Sequence, residues 1–163
     1  MISIEEPVMN IGIIVYSQTG NTYSVAEKLK EKFSTSGHSV AIEKVVPSGD
    51  VNPGMKNVRF DSLPVVEKYD ALVFGAPVQA FSLSVVMSAY LKQLSSLSGK
   101  KTVCFVTKAL PFYWTGGNNA INKMKSICEL KGAKVIGTGV VHWGEKVRRQ
   151  SISSFMEQTA QLF

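Results

Sequence analysis

The residues whose types and spacing best suit chemistry form one short segment, SQTGNT, at positions 17–22. It combines hydroxyl and amide side chains with a single glycine, and it contains no lysine, arginine or acid. An apolar run precedes it and a helical pattern follows it, so it is predicted to be a strand-to-helix turn. Orphan N–H groups and the dipole at a helix N-terminus favour an anion, and these side chains add neutral donors. The segment therefore predicts a phosphate site; the alternative is an ordinary turn in which Ser and Thr cap the helix.

Two widespread phosphate motifs are absent from the sequence. A P-loop would need GxxxxGK[ST], with a lysine for the outer phosphates, and a dinucleotide-binding fold would need GxGxxG. Neither pattern occurs. Gly20 would let the backbone come close to the anion and take a positive φ. A single terminal phosphate held by neutral donors is the best interpretation, and it indicates a mononucleotide.

Five short apolar runs alternate with helical patterns along the chain. The runs are nearly continuous, which is typical of strands buried on both faces, and they occupy positions 11–16, 40–46, 71–75, 102–107 and 134–141. This alternation predicts an α/β fold, a three-layer, doubly wound, five-stranded parallel sheet with helices on both faces. Residues 47–69 are interrupted by prolines and glycines, so a short or irregular helix within a long loop is expected there.

Length and composition are typical of one globular domain spanning residues 1–163, with 45% hydrophobic and 18% charged residues. No apolar stretch has the length of a membrane span, and the acidic start MISIEEPVMN does not resemble a secretory signal, so a soluble, cytoplasmic protein is expected. The formal net charge of +6 indicates an acidic partner or an anionic ligand. Nucleic acid is not expected as a partner, because the basic residues are scattered and no aromatic-basic motif occurs.

Cysteine and histidine give no sign of a catalytic or metal site. Cys104 and Cys128 lie far apart in the sequence, with no CxxC and no histidine at ligand spacing, and are expected to be small buried residues. His38 is expected at the surface beside the end of the first helix, and His142 directly after the last strand. Both histidines are interpreted as structural. The sequence therefore predicts no catalytic residue and no metal.

The stretch IIVYSQTGNTYSVAEKLKEKF, residues 13–33, resembles the phosphate-loop signature of the flavodoxin family, in which [ST]-x-T-G-x-T wraps the phosphate of FMN. The alternation of elements is similar to that family's five-stranded sheet over nearly the whole chain. The resemblance implies a flavodoxin-like strand order of 2-1-3-4-5 and FMN as the cofactor. It also implies a set of phosphate ligands, with Gln18 acting through its backbone: Ser17, Gln18, Thr19, Gly20, Asn21 and Thr22.

By the same resemblance, two further loops, at positions 75–82 and 107–117, hold the flavin ring. Prolines stiffen both loops, backbone groups can pair with the pyrimidine edge, and Phe81, Phe112, Tyr113 and Trp114 offer stacking faces. The alternative for each of these aromatic residues is packing in the core. The implied ring contacts are Ala76, Pro77, Val78, Gln79, Ala80, Phe81, Thr107, Lys108, Ala109, Leu110, Trp114 and Gly116.

Two features depart from the acidic, low-potential flavodoxins. The first ring loop has Gln79 and Ala80 where the family usually has an aromatic residue and a glycine that turns over toward the flavin N5 on one-electron reduction. A positive φ costs alanine about 1 kcal/mol or more, so that movement is expected to be weaker or displaced. Lys108 and a basic surface would stabilise the reduced, anionic flavin, which makes its potential less negative. The alternative for Lys108 is a solvated surface lysine.

The resemblance leaves two functions open. The first is an electron carrier that exchanges electrons with redox partner proteins, acidic ones given the charge, through the exposed edge of FMN. Size favours it, since quinone reductases on this fold tend to carry extra segments, and a monomer or weak dimer is expected. The alternative is an FMN-dependent NAD(P)H:acceptor oxidoreductase of the quinone type, favoured by the basic charge and the missing glycine. A third idea, an interaction module without flavin, is opposed by the intact phosphate loop.

Overall fold

The computed structural model describes residues 8–109, 116–144 and 147–163. The strands are β1 (Asn10–Val15), β2 (Ser39–Lys44), β3 (Val46–Pro47), β4 (Phe60–Ser62), β5 (Ala71–Gln79), β6 (Ser82–Leu83), β7 (Lys101–Lys108) and β8 (Lys134–His142). The helices are α1 (Asn21–Thr35), α2 (Val85–Gln93), α3 (Gly117–Leu130) and α4 (Arg148–Ala160). Within the described ranges, no helix is long and apolar enough to cross a membrane.

Five parallel strands form the central sheet in the order β2-β1-β5-β7-β8. This order confirms the predicted arrangement 2-1-3-4-5. In the middle of the sheet, Ile13 of β1 is in register with Ile42 of β2 and with Val73 of β5. The short strand β6 turns back and pairs antiparallel with the end of β5, which the sequence did not predict.

Helices cover both faces of the sheet, which explains why the central strands are almost continuously apolar. Successive side chains of a strand point to opposite faces, so a strand between two helical layers buries both sets. Ile13 and Val73 belong to the core that includes residues of α1 and α4. Ile14 and Phe74, one position later on the same strands, belong to the core that includes residues of α2 and α3.

The segment 47–69 differs from the prediction. It contains no helix; β3 and β4 form a two-stranded antiparallel sheet, and turns and irregular chain make up the rest. The prolines and glycines did predict the interruption correctly, but strands of two and three residues are too short to show a period. The expected helix at these positions is therefore wrong.

The structure corrects one side-chain prediction and confirms another. His38 is buried, not exposed, and its Nδ1 accepts a hydrogen bond from the N–H of Met9 at 3.1 Å, which gives it the structural role that was expected. Cys104 and Cys128 are both buried, as predicted, but they are also neighbours, with their Sγ atoms 3.9 Å apart between β7 and α3. The hydrogen bond to Cys128 and burial together raise the pKa of the Cys104 thiol, so this thiol stays protonated.

Gly75 of β5 packs directly against the ring of Phe105 on β7. It is in register with Phe105, whose ring occupies the space that a Cβ at position 75 would need. Gly75→Ala should therefore lower the free energy of unfolding by about 1–3 kcal/mol, as overpacking of a core does. Urea denaturation measures the difference.

Gly54→Ala is the matched control for that substitution. Gly54 lies in an exposed turn, and an added Cβ there would meet only the side chain of Asn52 at an ordinary 3.5 Å. Its stability should change by no more than about 0.5 kcal/mol. An equal loss of stability in both variants would contradict the packing argument.

Candidate functional site

Three loops meet at the carboxyl edge of the sheet and enclose a cleft of about 160 Å³. They are the turn after β1, the hairpin between β5 and β6, and the end of β7. All nine described residues that line the cleft were predicted from the sequence as site residues: Gln18, Thr19, Asn21, Pro77, Val78, Gln79, Thr107, Lys108 and Ala109. The predicted residues Leu110 and Trp114, with Phe112 and Tyr113, lie outside the described residues.

The turn after β1 is organised around a glycine and a serine. Gly20 has a φ of 92° and precedes the first residue of α1, so the chain enters the helix through a left-handed conformation that suits glycine. The Ser17 hydroxyl accepts hydrogen bonds from the N–H groups of Gly20 and Tyr23, both at 3.2 Å. The first turn of α1 contains no acidic residue. The positive end of the helix dipole therefore faces the cleft without a built-in counter-charge.

Side-chain hydrogen bonds connect this turn to the other two loops. The Thr22 hydroxyl lies 2.8 Å from the hydroxyl of Thr107 at the end of β7, and both side chains are buried. Gln79 of the hairpin donates from Nε2 to Oε1 of Gln18 at 2.6 Å. Residues separated by 61 and 85 positions in the sequence are thus held together at the cleft. Their proposed roles as phosphate or ring ligands remain predictions.

The hairpin between β5 and β6 has an unusual tip. Ala80 and Phe81 are its two turn residues, and both have a positive φ, of 48° and 61°. Tight hairpin turns of this kind usually contain Asn-Gly, because most side chains disfavour the conformation. Ala80 thus already has the positive φ that the sequence analysis treated as costly for alanine, and Phe81 has one as well. Ala76, earlier in β5, is fully buried and does not line the cleft.

The N-terminal part of α3 holds this strained tip. Gly116, with a φ of 99°, precedes α3 and lies so close to the backbone of Phe81 that a Cβ would overlap it. Asn119 donates from Nδ2 to the carbonyl oxygen of Phe81 at 3.1 Å. Phe81 itself is 56% exposed, which excludes core packing for this residue. Sequence reasoning missed Asn119, since its spacing on α3 carries no motif.

Comparison with known proteins fits this architecture. No protein-family model matches the chain. Flavodoxin 2 from Bacillus cereus, in its oxidised form, superposes with a TM-score of 0.69 over 94% of this chain and 99% of that one, at 18% identity. The chain has the flavodoxin fold. A flavoprotein from Lactobacillus acidophilus in complex with FMN gives a TM-score of 0.62 over 88% and 99% of the two chains, at 16% identity.

Two further relatives were found, one by structure and one by sequence. Two-electron reduced flavodoxin from Megasphaera elsdenii has a TM-score of 0.65 and 21% identity over 93% of this chain and 98% of that one. An NAD(P)H dehydrogenase (quinone) from Archaeoglobus fulgidus is 32% identical over 100 residues, which are 54% of this chain. The flavodoxin-fold chain spans only half the length of that curated relative.

Lys108 gives the cleft its charge. It is the one charged residue among the nine described residues that line the cleft. Only 6% of it is exposed, so the alternative of a solvated surface lysine is wrong. Its aliphatic stem packs beneath Gly117 at the start of α3. Burial lowers the pKa of Lys108, and burial together with Lys108 lowers the pKa of His142, its register neighbour on β8. No group of three or more possible metal ligands occurs among the residues described.

Ala80→Gly should relieve the strain at the hairpin tip. The exposed Ala80 side chain contributes little packing, and a left-handed conformation costs a non-glycine residue roughly 1–2 kcal/mol. The greater freedom of glycine in the unfolded chain offsets part of this gain. The free energy of unfolding should therefore rise by up to about 1 kcal/mol in urea denaturation.

Ser82→Gly provides the comparison for that variant. Ser82 is the strand residue directly after the tip and does not have a positive φ. Glycine should destabilise this position by about 0.5–1 kcal/mol. If both variants lost stability alike, the strain at Ala80 would not be real.

Proposed function

We propose that this chain is an FMN-binding redox protein. The observation that carries the proposal is the cleft at the carboxyl edge, where the turn after β1 meets the two loops that follow β5 and β7. Neutral donors at a helix N-terminus suit the single phosphate of a mononucleotide. Open α/β sheets bind their ligands at this edge, where neighbouring strands send their helices to opposite faces. The flavoprotein from Lactobacillus acidophilus, solved in complex with FMN, supports the choice of cofactor.

The described residues divide into three roles toward FMN. Thr19, Asn21 and the first N–H groups of α1 would hold the phosphate. The backbone of Pro77, Val78 and Gln79 in the hairpin would pair with the edge of the flavin ring. The hairpin tip, with the exposed Phe81, would lie beside the ring. Lys108 would supply a buried positive charge close to the ring. When bound, FMN supplies reversible transfer of electrons, and the protein sets its position and potential.

We further propose that the protein acts as an electron carrier. Eight of the nine lining residues are uncharged, and the ninth is a lysine, so the described part of the cleft offers no carboxylate or histidine for acid–base chemistry. Outer-sphere electron transfer needs only an accessible cofactor and a docking surface. The flavodoxins from Bacillus cereus and Megasphaera elsdenii support this function through their shared fold.

A second candidate is an NAD(P)H:acceptor oxidoreductase. The match to the NAD(P)H dehydrogenase (quinone) from Archaeoglobus fulgidus favours it, although that match covers half of the relative. In this function hydride would pass directly from the nicotinamide to FMN, and no reductase would be needed.

Replacing Thr19 and Thr22 together with alanine should weaken FMN binding strongly. Hydrogen bonds to a charged group are worth roughly 1.5–3 kcal/mol each, so a loss of at least tenfold in affinity is expected even if only one hydroxyl contacts the phosphate. Fluorescence titration with FMN and with riboflavin, which lacks the phosphate, measures the effect.

The riboflavin titration and a remote variant serve as controls. Riboflavin should bind poorly to the unmodified protein and to the double variant alike. Thr35→Ala, at the far end of α1, should leave FMN affinity unchanged. Equal affinity of the unmodified protein for riboflavin and FMN would overturn the phosphate site.

Anaerobic addition of NADH or NADPH separates the two candidate functions. A carrier should keep its flavin oxidised, as seen from the unchanged visible absorbance, until a catalytic amount of a flavodoxin reductase is added. Rapid bleaching by either nucleotide alone would instead establish the oxidoreductase.

A further inference from the structure

A groove runs between α1 and α4 on one face of the molecule. It consists of two adjoining hollows of about 560 Å³ and 400 Å³, each much larger than the 160 Å³ cleft. Both hollows are lined by Lys28 of α1 and by Arg149 and Ile152 of α4. The smaller hollow, which also includes Ser24 and Trp143, lies toward the carboxyl edge of the sheet and is called the upper hollow below.

The upper hollow is strongly basic. Its described lining contains three cations, Lys28, Arg148 and Arg149, and no carboxylate, and all three are exposed. The guanidinium of Arg148 lies 4.9 Å from the ring centroid of Trp143, and its Nε donates to the Trp143 carbonyl oxygen at 3.1 Å. This arrangement fixes one cation at the rim. The larger hollow is mixed, because Glu31 and Glu157 lie among its cations.

The upper hollow shares structural supports with the cofactor cleft on two sides. The N–H of Trp143 donates to the carbonyl oxygen of Lys108, a cleft residue, at 2.7 Å. On the other side, Ser24 directly follows Tyr23, whose N–H is bound by the Ser17 hydroxyl of the turn after β1. A molecule seated in the upper hollow would therefore lie beside the proposed FMN site.

We propose that the upper hollow of the α1–α4 groove is the docking surface for an acidic redox partner protein. The proposal rests on the proposed FMN function and adds the location and charge of the partner's contact surface. Carboxylates of the partner would pair with Lys28, Arg148 and Arg149, and this complementarity would bring its redox group toward the cleft.

The lining favours a protein surface over a small phosphate ligand. Small-molecule sites are mostly apolar and enclose their ligand, with a few fixed polar groups. Here the cations stand exposed on two helices at opposite sides of an open groove, and Ile152 is the buried apolar residue of the described lining. Long basic side chains at a rim mainly accelerate the encounter with an oppositely charged protein.

The first test needs no FMN and uses poly-L-glutamate as a probe of the surface. In a ¹⁵N-resolved NMR titration of the apoprotein, the amide of Ser24 and the indole N–H of Trp143 should shift. The shifts should disappear in the triple variant Lys28→Glu, Arg148→Glu, Arg149→Glu.

A matched triple variant controls for total charge. The control carries Lys92→Glu, Lys123→Glu and Lys125→Glu, which change exposed residues of α2 and α3 on the opposite face of the sheet. In both triple variants, each Lys or Arg replaced by Glu lowers the net charge by two, so the net charge falls from +6 to 0. This control should keep the shifts. Equal loss of the chemical shift changes in both variants would overturn the proposal. Shifts produced by pyrophosphate but not by poly-L-glutamate would also overturn it and would indicate a small phosphate ligand instead.

The second test measures electron transfer from the reduced, FMN-loaded protein to cytochrome c. The native cytochrome is basic, and succinylation of its lysines makes it acidic without changing the haem, so the two forms differ mainly in charge. The acidic form should react about tenfold faster or more at low salt, and the advantage should fall with ionic strength.

The groove variant should abolish this advantage, whereas the control variant should retain most of it. Faster reaction with the basic cytochrome, or equal sensitivity of both variants, would overturn the docking surface. A protein that fails to bind FMN would refute the proposed function alone, because the poly-L-glutamate titration still reports on the groove.

Discussion

Burial of the central strands on both faces is the constraint on which the rest of this structure depends. β1, β5 and β7 have apolar side chains toward both helical layers, so neither face can carry polar chemistry. Only the ends of the strands remain for a site. β1 leads into α1 on one face and β5 into α2 on the other, although the two strands are neighbours in the sheet. The connections that follow these two strands therefore diverge at the carboxyl edge, and the cleft lies between them.

The sequence predicted those parts of the molecule that depend on local pattern. Continuous apolar runs predicted the five parallel strands, and the SQTGNT turn predicted Gln18, Thr19 and Asn21 of the cleft, because both signals lie within a few consecutive positions. The other described cleft residues were expected only from the family resemblance. Contacts between distant residues had no such signal. The Thr22–Thr107 pair, the Cys104–Cys128 pair and the support of Phe81 by Asn119 arise only when the sheet brings their elements together. The small β3–β4 sheet was missed because two or three residues show no period.

Local rules are broken where the three loops meet. Two non-glycine residues take positive φ at the hairpin tip, and a lysine is buried near the N-terminus of α3, where the helix dipole is also positive. Each of these disfavours the folded state on its own. These unfavourable features persist because contacts from Gly116, Asn119 and the end of β7 hold the hairpin tip and the lysine in place. Several locally unfavourable features at one place are typical of functional sites, in folds whose other residues suit their local structure. An anionic ligand would relieve the electrostatic part of it.

The cleft and the groove beside it both carry positive charge. A cation close to a group that becomes negative on reduction stabilises the reduced form, and a stabilisation of about 1.4 kcal/mol corresponds to roughly 60 mV for one electron. Lys108 is buried, so water screens its field less than it screens an exposed lysine. The exposed cations of the groove would act instead on the approach of the proposed partner. With FMN in the cleft, the same sign of charge would favour the acceptance of electrons and the binding of acidic proteins. The acidic flavodoxins combine a low potential with negative charge. This chain would combine a less negative potential with positive charge.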